Sequence, residues 1–301
     1  MAPQGRRLNP PHLTRGEIGA AHRSDVISQS TNLGYDTRMI RILALAALLA
    51  TPAAAFTQDD LLRAELLPGW RTADGAHMAA LSITLAPGWK TYWRSPGEAG
   101  IPPVLDFAGS TNLKSVRLHW PSPALFDVSG LSTLGYHDAL ILPIEITPER
   151  AGQPVDLKLF VDLGVCRDIC VPARLDLTAT LPVQGTPDAA IRAALAAGPV
   201  SGARAGLTAI DCTVTPIRDG LAMTTRITLP HQGGAEAVVL EPADGTIWVS
   251  QSDTRRDGNI LTAMTDLVPP SGAPFALDRS TLRVTVVRDS GSVEVTGCPA
   301  P

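Results

Sequence analysis

The sequence predicts an all-β protein in which two β domains are joined by a short helix. Glycine and proline number 26 each among 301 residues, so the chain contains many turn formers. Between these turns, apolar and polar residues alternate with the period of two that is typical of strands. Apolar residues make up 45% of the chain and charged residues 18%, which indicates a packed globular protein. The net charge of -4 argues against a nucleic-acid binder, whose affinity would need a basic excess.

The first β domain is predicted over residues 56–185. Turn signals such as Pro87-Gly88 and Pro121-Ser122-Pro123 separate short runs that favour strands. Short strands at this spacing are typical of a β-sandwich. The strands predicted from the alternation span residues 62–67, 77–85, 104–107, 114–120, 140–147, 155–163 and 174–181.

A helical linker is predicted over residues 186–200. Thr186 can cap this helix, Pro187 suits its first position, and Gly198-Pro199 ends it. A second, smaller β domain is predicted over residues 201–301. Its predicted strands span residues 208–217, 221–229, 237–240, 246–250, 260–266, 282–288 and 292–296. The alternative that this pattern leaves open is one extended sandwich.

Residues 39–55 have the pattern of a secretory signal peptide. Arg38 and Arg41 supply positive charge before the apolar run 42–50, and small residues up to Ala55 offer a cleavage site. The run is too short to span a bilayer comfortably. An N-terminal membrane anchor and a buried helix are the alternatives.

Because signal peptides normally begin at the first residue, we interpret Met39 as the start of the protein and residues 1–38 as a gene-model extension. No later stretch approaches 18 consecutive apolar residues, so no transmembrane segment is predicted in the mature chain. Export would place the protein in an oxidising compartment, where cysteines are candidates for disulfides.

Cys166 and Cys170 are the first candidate pair. Three residues separate them, so a disulfide can close only if the chain turns back at once. The predicted strands before and after them would supply that turn and place the pair at a hairpin tip near solvent. A short loop adds little stability when it is closed, whereas an accessible disulfide has a higher reduction potential and is suited to redox exchange.

Arg167 and Asp168 lie between these two cysteines and act in opposite directions. The arginine would favour a thiolate and the aspartate would oppose it. The residues alone leave a static disulfide and a redox pair as equal alternatives. A metal site with His137 as a third ligand is the lesser alternative, because zinc usually takes four ligands. No metal or other cofactor is predicted.

Cys212 and Cys298 form the second candidate pair, at the two ends of the second domain. A disulfide between them would tie the C-terminus to the opening strand. The entropy model assigns such a long loop roughly 4–5 kcal/mol of stabilisation. We therefore predict a structural disulfide, with a second redox pair as the alternative.

Five sequence elements of the first domain carry a resemblance to a known family. In chain order they are Pro87-Gly88-Trp89-Lys90-Thr91-Tyr92-Trp93-Arg94-Ser95-Pro96-Gly97-Glu98-Ala99-Gly100, Trp120-Pro121-Ser122-Pro123, Gly135-Tyr136, Leu142-Pro143-Ile144 and Val165-Cys166-Arg167-Asp168-Ile169-Cys170-Val171-Pro172. With these elements the domain resembles, over about residues 65–180, the N-terminal periplasmic domain of DsbD-type thiol–disulfide interchange proteins. The cysteine motif with its proline is the most specific element, and its compact spacing is similar to that of the branch linked to suppression of copper sensitivity.

The resemblance implies an immunoglobulin-like sandwich whose cysteine pair shuttles between dithiol and disulfide. It implies electron transfer from a separate membrane protein, through Cys166 and Cys170, to periplasmic thioredoxin-like partners. Family members cover the cysteines with an aromatic cap loop, and the matching stretch begins at Phe126 and ends at Tyr136. We take Tyr136 as the cap candidate and Arg167 as a supporting residue, and we expect Trp89 and Trp93 to pack in the core.

The sequence therefore favours an exported, periplasmic thiol–disulfide interchange protein. The rival is a non-enzymatic exported β-sandwich that binds or assembles other proteins and holds two structural disulfides. Copper or zinc handling is the lesser alternative.

Overall fold

The computed structural model describes residues 57–301 apart from 129–130 and 232. The predicted gene-model extension and signal peptide lie outside the described residues. In the described part, none of the helices is both long and apolar enough to cross a membrane.

Ten strands form the first β-sandwich. In chain order they are β1 (Leu62–Arg71), β2 (His77–Leu85), β3 (Lys90–Tyr92), β4 (Val104–Asp106), β5 (Leu113–Leu118), β6 (Ala124–Val128), β7 (Leu131–His137), β8 (Ala139–Pro148), β9 (Val155–Cys166) and β10 (Cys170–Leu181). One sheet has the order β1-β2-β8-β5. The other has the order β10-β9-β3-β7-β6, with β4 paired to β9. All of these pairs are antiparallel.

The alternation along β9 shows why the sequence builds this sandwich. Leu157, Leu159 and Val161 are buried in the core between the two sheets, while Phe160 and Asp162 are exposed on the outer face. Successive side chains of a strand point to opposite faces, so the period of two places every second residue in the core. The positions of the apolar residues along the strand therefore determine which side chains enter the hydrophobic core.

The second β-sandwich follows the same rule with nine strands. They are β11 (Val200–Ser201), β12 (Ala209–Ile217), β13 (Gly220–Thr228), β14 (Glu236–Glu241), β15 (Trp248–Val249), β16 (Asp253–Asp257), β17 (Ile260–Val268), β18 (Arg283–Arg288) and β19 (Gly291–Thr296). Its sheets have the orders β11-β19-β18-β14 and β12-β13-β17-β15, with β16 paired to β17. A separate core lies between them, and Cys212, Met223 and Val284 belong to it.

Within residues 57–301, as far as the structure describes them, two short helices accompany the strands, α1 (Gln58–Leu61) and α2 (Ala189–Ala196). The cap of α2 is Asp188, whose Oδ1 accepts from the backbone N–H groups of Ala190 and Ile191 at 2.7 and 3.1 Å. The predicted cap, Thr186, was therefore wrong: the carboxylate next to the helix satisfies its free N–H groups.

The helix α2 packs against the first sandwich. Ile191 is fully buried and clusters with Met78 and Ala80 on the outer face of β2. The described residues belong to one compact unit, so the helix is a packed element and not a free spacer. The domain boundaries at residues 185 and 201 stay a prediction.

Polar and apolar contacts join the two sandwiches directly. Arg94 donates through Nε and Nη2 to both oxygens of Glu241, at 2.8 and 2.9 Å, and its Nη2 also donates to Glu294 at 2.8 Å. Val287 of β18 extends the apolar core of the first sandwich. Arg94 lies only two residues after β3, so the junction is anchored next to a strand that reaches the cysteine pair.

Candidate redox site

Cys166 and Cys170 lie at the tip of the hairpin formed by β9 and β10. The two residues are opposite each other in register and are joined by a disulfide, with a Cα–Cα distance of 4.1 Å. The backbone N–H of Arg167 donates to the carbonyl of Ile169 at 3.0 Å and closes the tip. The hairpin-tip geometry and the pairing are those expected from the sequence.

The two cysteines differ sharply in exposure. Cys166 is only 1% exposed, because β9 lies inside its sheet between β10 and β3. Cys170 is exposed, because it begins β10, the edge strand of that sheet. Of the two cysteines, Cys170 is therefore the one that a partner can approach from solvent, while Cys166 is shielded.

The hydroxyl group of Tyr92, on β3, contacts the sulfur of the exposed cysteine, Cys170. Its Oη lies 3.7 Å from Cys170 Sγ, and the hydroxyl is the donor because a disulfide sulfur carries no proton. The side chain is 1% exposed, and burial raises the pKa of Tyr92 above its usual value. The hydroxyl thus stays a donor throughout the neutral range.

A glycine allows β3 and β7 to approach each other at this point. Gly135 is the register partner of Tyr92, and a Cβ atom at Gly135 would collide with the carbonyl oxygen of Thr91. Any larger residue would push β3 away from β7 and displace Tyr92 from the disulfide. Gly135 is one of the residues on which the resemblance rests.

Lys90 lies beside the buried cysteine. It is the register partner of Cys166 on one side and of His137 on the other. Its ammonium group lies 5.3 Å from the centre of the Phe126 ring, and the edge of His137 meets that ring at 4.3 Å between centroids. Phe126, Lys90 and His137 thus form a cluster of two rings and one ammonium group on the strands that follow β9 in the sheet.

Tyr136 does not belong to this cluster. It is 8% exposed, its Oη donates to the carbonyl of Pro121 at 2.8 Å, and its ring stacks with Trp120. Neighbouring residues of a strand face opposite sides, so Tyr136 enters the core while His137 faces the cysteines. The prediction of Tyr136 as the cap residue was therefore wrong. Phe126, at the other end of the matching stretch, contacts Lys90 and His137, and the aromatic residue that contacts Cys170 is Tyr92.

The side chain of Arg167 contacts Asp168 and Trp89. Its Nε donates to Asp168 at 3.0 Å, and its guanidinium lies 5.3 Å from the centre of the Trp89 ring. The two charges that the sequence places in opposition therefore neutralise each other at the tip. Trp89 and Trp93 are both buried in the core, where the sequence predicts them.

Exposed apolar side chains surround the tip. Ile169 is 67% exposed and lies beside Cys170 in the chain, and Pro172 is exposed on β10. Ile101 lies above Gly164 of β9, and Val104 is paired with the same strand at Asp162. These residues form an apolar surface of the kind that marks contact sites between proteins.

The geometry does not favour a metal site at this pair. His137 lies on β7 and Cys166 on β9, with Lys90 of β3 between them in register. Within the described residues, no three His, Cys, Asp or Glu side chains are grouped so that they could hold a metal ion. A positively charged ammonium between two candidate ligands would oppose a bound cation.

Cys212 and Cys298 form the second disulfide, in the core of the second sandwich. Both are almost completely buried, and their Cα atoms are 5.5 Å apart across a separation of 86 residues. The backbone of Cys212 accepts from Arg279 Nη1 at 2.9 Å and donates to Pro299 at 2.8 Å. The C-terminus is thereby tied to the opening strand β12, which is the pairing expected from the sequence.

Two comparisons relate this geometry to known proteins. Residues 63–182, which are 120 of the 301 residues, match the family model "Thiol:disulfide interchange protein DsbD, N-terminal". The crystal structure of the N-terminal periplasmic domain of ScsB from Proteus mirabilis is similar, with a TM-score of 0.57 and 24% identity. The comparison with curated proteins gives no match.

The structural likeness extends beyond the matched family segment. It covers 82% of this chain and 96% of the ScsB domain, so it includes both sandwiches. At 24% identity this likeness concerns the fold, whereas the family match concerns the part that holds Cys166 and Cys170. Over residues 63–182, the chain therefore carries a domain that matches the N-terminal domain of the thiol:disulfide interchange protein DsbD.

Proposed function

We propose that the chain is an exported thiol–disulfide interchange protein that exchanges electrons with thioredoxin-like partners in the periplasm. The observation that carries the proposal is the unequal exposure of one short disulfide: Cys170 is open to a partner, and Cys166 lies buried behind it. The family match over residues 63–182 and the periplasmic origin of the similar ScsB domain support it.

In this proposal a partner dithiol reduces the pair in two displacements. A partner thiolate attacks Cys170 Sγ, the bond between the two cysteines breaks, and Cys166 leaves with the electron pair as a thiolate. The second partner thiolate then attacks the partner sulfur that is bonded to Cys170. The mixed disulfide breaks, and Cys170 leaves as a thiolate. Two electrons have moved to the pair, the partner has become a disulfide, and both cysteine thiolates take up protons according to their pKa values.

The same steps in reverse reduce a partner disulfide. Cys170 attacks the partner and Cys166 resolves the mixed disulfide. We propose that a separate membrane protein supplies the electrons. Periplasmic thioredoxin-like partners would then be reduced at the same hairpin tip. The apolar surface around Ile169, Pro172 and Ile101 would contact each partner in turn, because its exposed side chains flank the only sulfur of the pair that is open.

Trapping with single cysteine variants tests the proposal. Cys166→Ser leaves the exposed Cys170 without its resolving thiol, so mixed disulfides should accumulate in the periplasm of the producing cell. Cys170→Ser leaves only the buried Cys166 and should trap far less. Mass spectrometry of the trapped species should identify proteins with a thioredoxin-like cysteine motif. Equal trapping by both variants would contradict the assigned roles.

The double variant Cys166→Ser with Cys170→Ser is the matched control and should trap nothing. If Cys166→Ser also traps nothing in cells that contain thioredoxin-like proteins, the exchange function is wrong. The chain would then be better described as a binding or assembly protein with two structural disulfides.

A further inference from the structure

The strand β10 carries the exposed cysteine at one end, and the register shows where its backbone groups point. β10 is the end strand of its sheet and pairs with β9 without a register shift from Cys170 to Leu181. In an antiparallel pair, the N–H and C=O groups of every second residue point toward the neighbouring strand, and those of the residues between them point away. Each residue of β10 therefore either bonds to β9 or faces the edge of the sheet.

The contact between Gln58 and Arg174 shows which residues face the edge. The side-chain amide of Gln58 bonds to both backbone groups of Arg174: its Oε1 accepts from the N–H, and its Nε2 donates to the carbonyl, each at 2.9 Å. Arg174 thus faces the edge, and by the period of two so do Pro172 and Cys170. The Cα–Cα distance of 4.1 Å between Cys166 and Cys170 agrees, because residue pairs that are not bonded to each other lie closer, at about 4.5 Å.

The edge of β10 is closed at Arg174 and free next to the disulfide. Gln58 occupies the backbone groups of Arg174 as a neighbouring strand would. Within the residues that the structure describes, no side chain and no loop backbone bonds to the N–H or C=O of Cys170 or to the C=O of Pro172. Pro172 itself has no N–H. One donor and two acceptors are therefore free, and the donor belongs to the cysteine that a partner attacks.

These free groups suit an extended segment of polypeptide. Such a segment can add to a sheet edge as a further strand, and its main-chain hydrogen bonds contribute affinity. Proteins normally block their edge strands, as Gln58 does at Arg174. Directly bonded residues of antiparallel strands have Cα atoms about 5.5 Å apart, which a disulfide can bridge. Main-chain pairing and a mixed disulfide at Cys170 are therefore compatible.

We infer that a thioredoxin-like partner adds an extended segment of its main chain to the edge of β10 at Cys170 and Pro172, and that Gln58 ends this added strand before Arg174. This inference rests on the proposed function. Ile169, which is 67% exposed at the start of the same edge, supplies an apolar contact. Because the hydrogen bonds use groups that every polypeptide has, one edge can serve several partners in turn.

The test compares two adducts of the Cys166→Ser variant, in which Cys170 is the free thiol and the second disulfide is intact. Cys170 is first activated with 5,5′-dithiobis(2-nitrobenzoate). The thionitrobenzoate is then displaced by 2-mercaptoethanol or by a thioredoxin variant that lacks its resolving cysteine, and NMR follows amide hydrogen exchange. In the thioredoxin adduct, the N–H of Cys170 should exchange slower by about fivefold or more, because it gains a hydrogen bond.

The N–H of Asp168 is the internal control. Asp168 is exposed at the hairpin tip and lies outside β10, so its exchange rate should be the same in both adducts. Equal slowing at Asp168 and Cys170 would mean that thioredoxin only covers the tip. An unchanged rate at Cys170 would mean that no main-chain bond forms there. Either result would overturn the inference.

The variant Gln58→Ala tests the limit that Gln58 sets. Without its acceptor, the N–H of Arg174 should exchange faster by about fivefold or more in the free protein. In the thioredoxin adduct it should be protected again, because the added strand can continue along β10. Asp59→Ala, at an exposed neighbour on α1, is the matched control and should leave Arg174 unchanged. If Arg174 stays fast in the adduct of folded Gln58→Ala, the role of Gln58 is wrong.

A second copy of this chain is the other possible occupant of the edge, and sedimentation of the oxidised protein tests it. We expect a monomer whose Cys170 amide exchanges freely. A dimer with a protected Cys170 amide would assign the edge to a second copy and overturn the inference. Because both adducts are made chemically, they form whether or not the chain exchanges electrons in the cell. Failed trapping would overturn the exchange function, whereas an unprotected Cys170 amide would overturn only the main-chain docking.

Discussion

The two disulfides of this chain have opposite surroundings. Cys166–Cys170 spans four positions at the tip of a hairpin, with one of its two residues exposed and a tyrosine hydroxyl beside that residue's sulfur. Cys212–Cys298 spans 86 positions inside the core of the second sandwich, with both residues buried. Loop length decides how much a disulfide restricts the unfolded chain, and exposure decides whether a thiolate can attack it.

On this basis we expect stability and reactivity to be separated between the two pairs. The long buried disulfide should be protected from exchange and support the fold. The short one should contribute less to the fold, so that it can open and close without unfolding the sandwich.

The first prediction concerns the variant Cys166→Ser with Cys170→Ser. All thiol–disulfide exchange should disappear, because both the attacked sulfur and the leaving sulfur are gone. The entropy model gives a loop of this size at most about 2 kcal/mol, so the free energy of unfolding should change little. Insulin reduction coupled to a thioredoxin and urea unfolding measure the two quantities. Loss of the folded state in this variant would reverse the roles of the two pairs.

The second prediction concerns the variant Cys212→Ser with Cys298→Ser. The free energy of unfolding should fall by about 4–5 kcal/mol, because an 86-residue loop is released. Exchange at Cys170 should persist below the new melting temperature. Urea unfolding, with exchange assayed at a temperature where the variant is folded, checks both statements. An unchanged free energy of unfolding would show that this pair is not a structural one.

The third prediction concerns the junction between the sandwiches. Arg94→Met leaves Glu241 and Glu294 without their shared partner. Because the Arg94 side chain is only 17% exposed, we expect a loss of about 3 kcal/mol, at the lower end for a broken buried pair. Arg174→Met is the control, since it breaks an exposed pair and should cost less than about 1 kcal/mol.

The rate of exchange at Cys170 should stay the same in Arg94→Met, because the arginine belongs to the junction and not to the tip. Thermal unfolding and a thiol-exchange rate at a temperature below both melting points test this. A large fall in the exchange rate of the folded variant would show that the second sandwich controls the redox site.

The fourth prediction concerns Tyr92→Phe, which removes the hydroxyl next to Cys170. The Cys170 thiolate of the reduced protein should lose one hydrogen bond, worth about 1 kcal/mol, so its thiolate fraction and its alkylation rate at neutral pH should fall by about fivefold. Because burial raises the pKa of Tyr92, the hydroxyl stays protonated throughout the neutral range in which the rates are compared.

Tyr136→Phe is the matched control for this variant, because its hydroxyl bonds to Pro121 in the core. It should lower stability without changing the alkylation rate of Cys170. Iodoacetamide kinetics on the Cys166→Ser background measures both variants. If Tyr136→Phe changes the thiol as much as Tyr92→Phe does, the contact at Cys170 has no specific effect.

The sequence predicts the long strands and both cysteine pairs well. Along β9, buried and exposed residues alternate from Val155 to Asp162, and this period identifies the buried face of the strand. β2 is buried on both faces, so its mostly apolar run predicts a strand but not one buried face. The hairpin at Cys166 and Cys170 follows from the strands on either side of a three-residue gap. These features are local, so the order of residues along the chain is enough to predict them.

The remaining features depend on strands that meet only in the folded protein. β3 has three residues and shows no period, and β6 and β7 lie in a stretch where Pro121, Pro123 and Gly135 hide the strand pattern. The burial of Cys166, the contacts of Phe126 with Lys90 and His137, and the inward direction of Tyr136 all follow from the pairing of these strands. The residues close to the cysteines in the sequence give no indication of how β3, β6 and β7 pair.

The most direct test of the central claim is to measure the reduction potentials of both pairs in one protein, by equilibration with glutathione buffers and alkylation of the free thiols. The account predicts that Cys166–Cys170 is reduced at a potential above about −300 mV, while Cys212–Cys298 stays oxidised until the protein unfolds. A potential below about −300 mV for the Cys166–Cys170 pair would contradict the account and mark both bonds as structural.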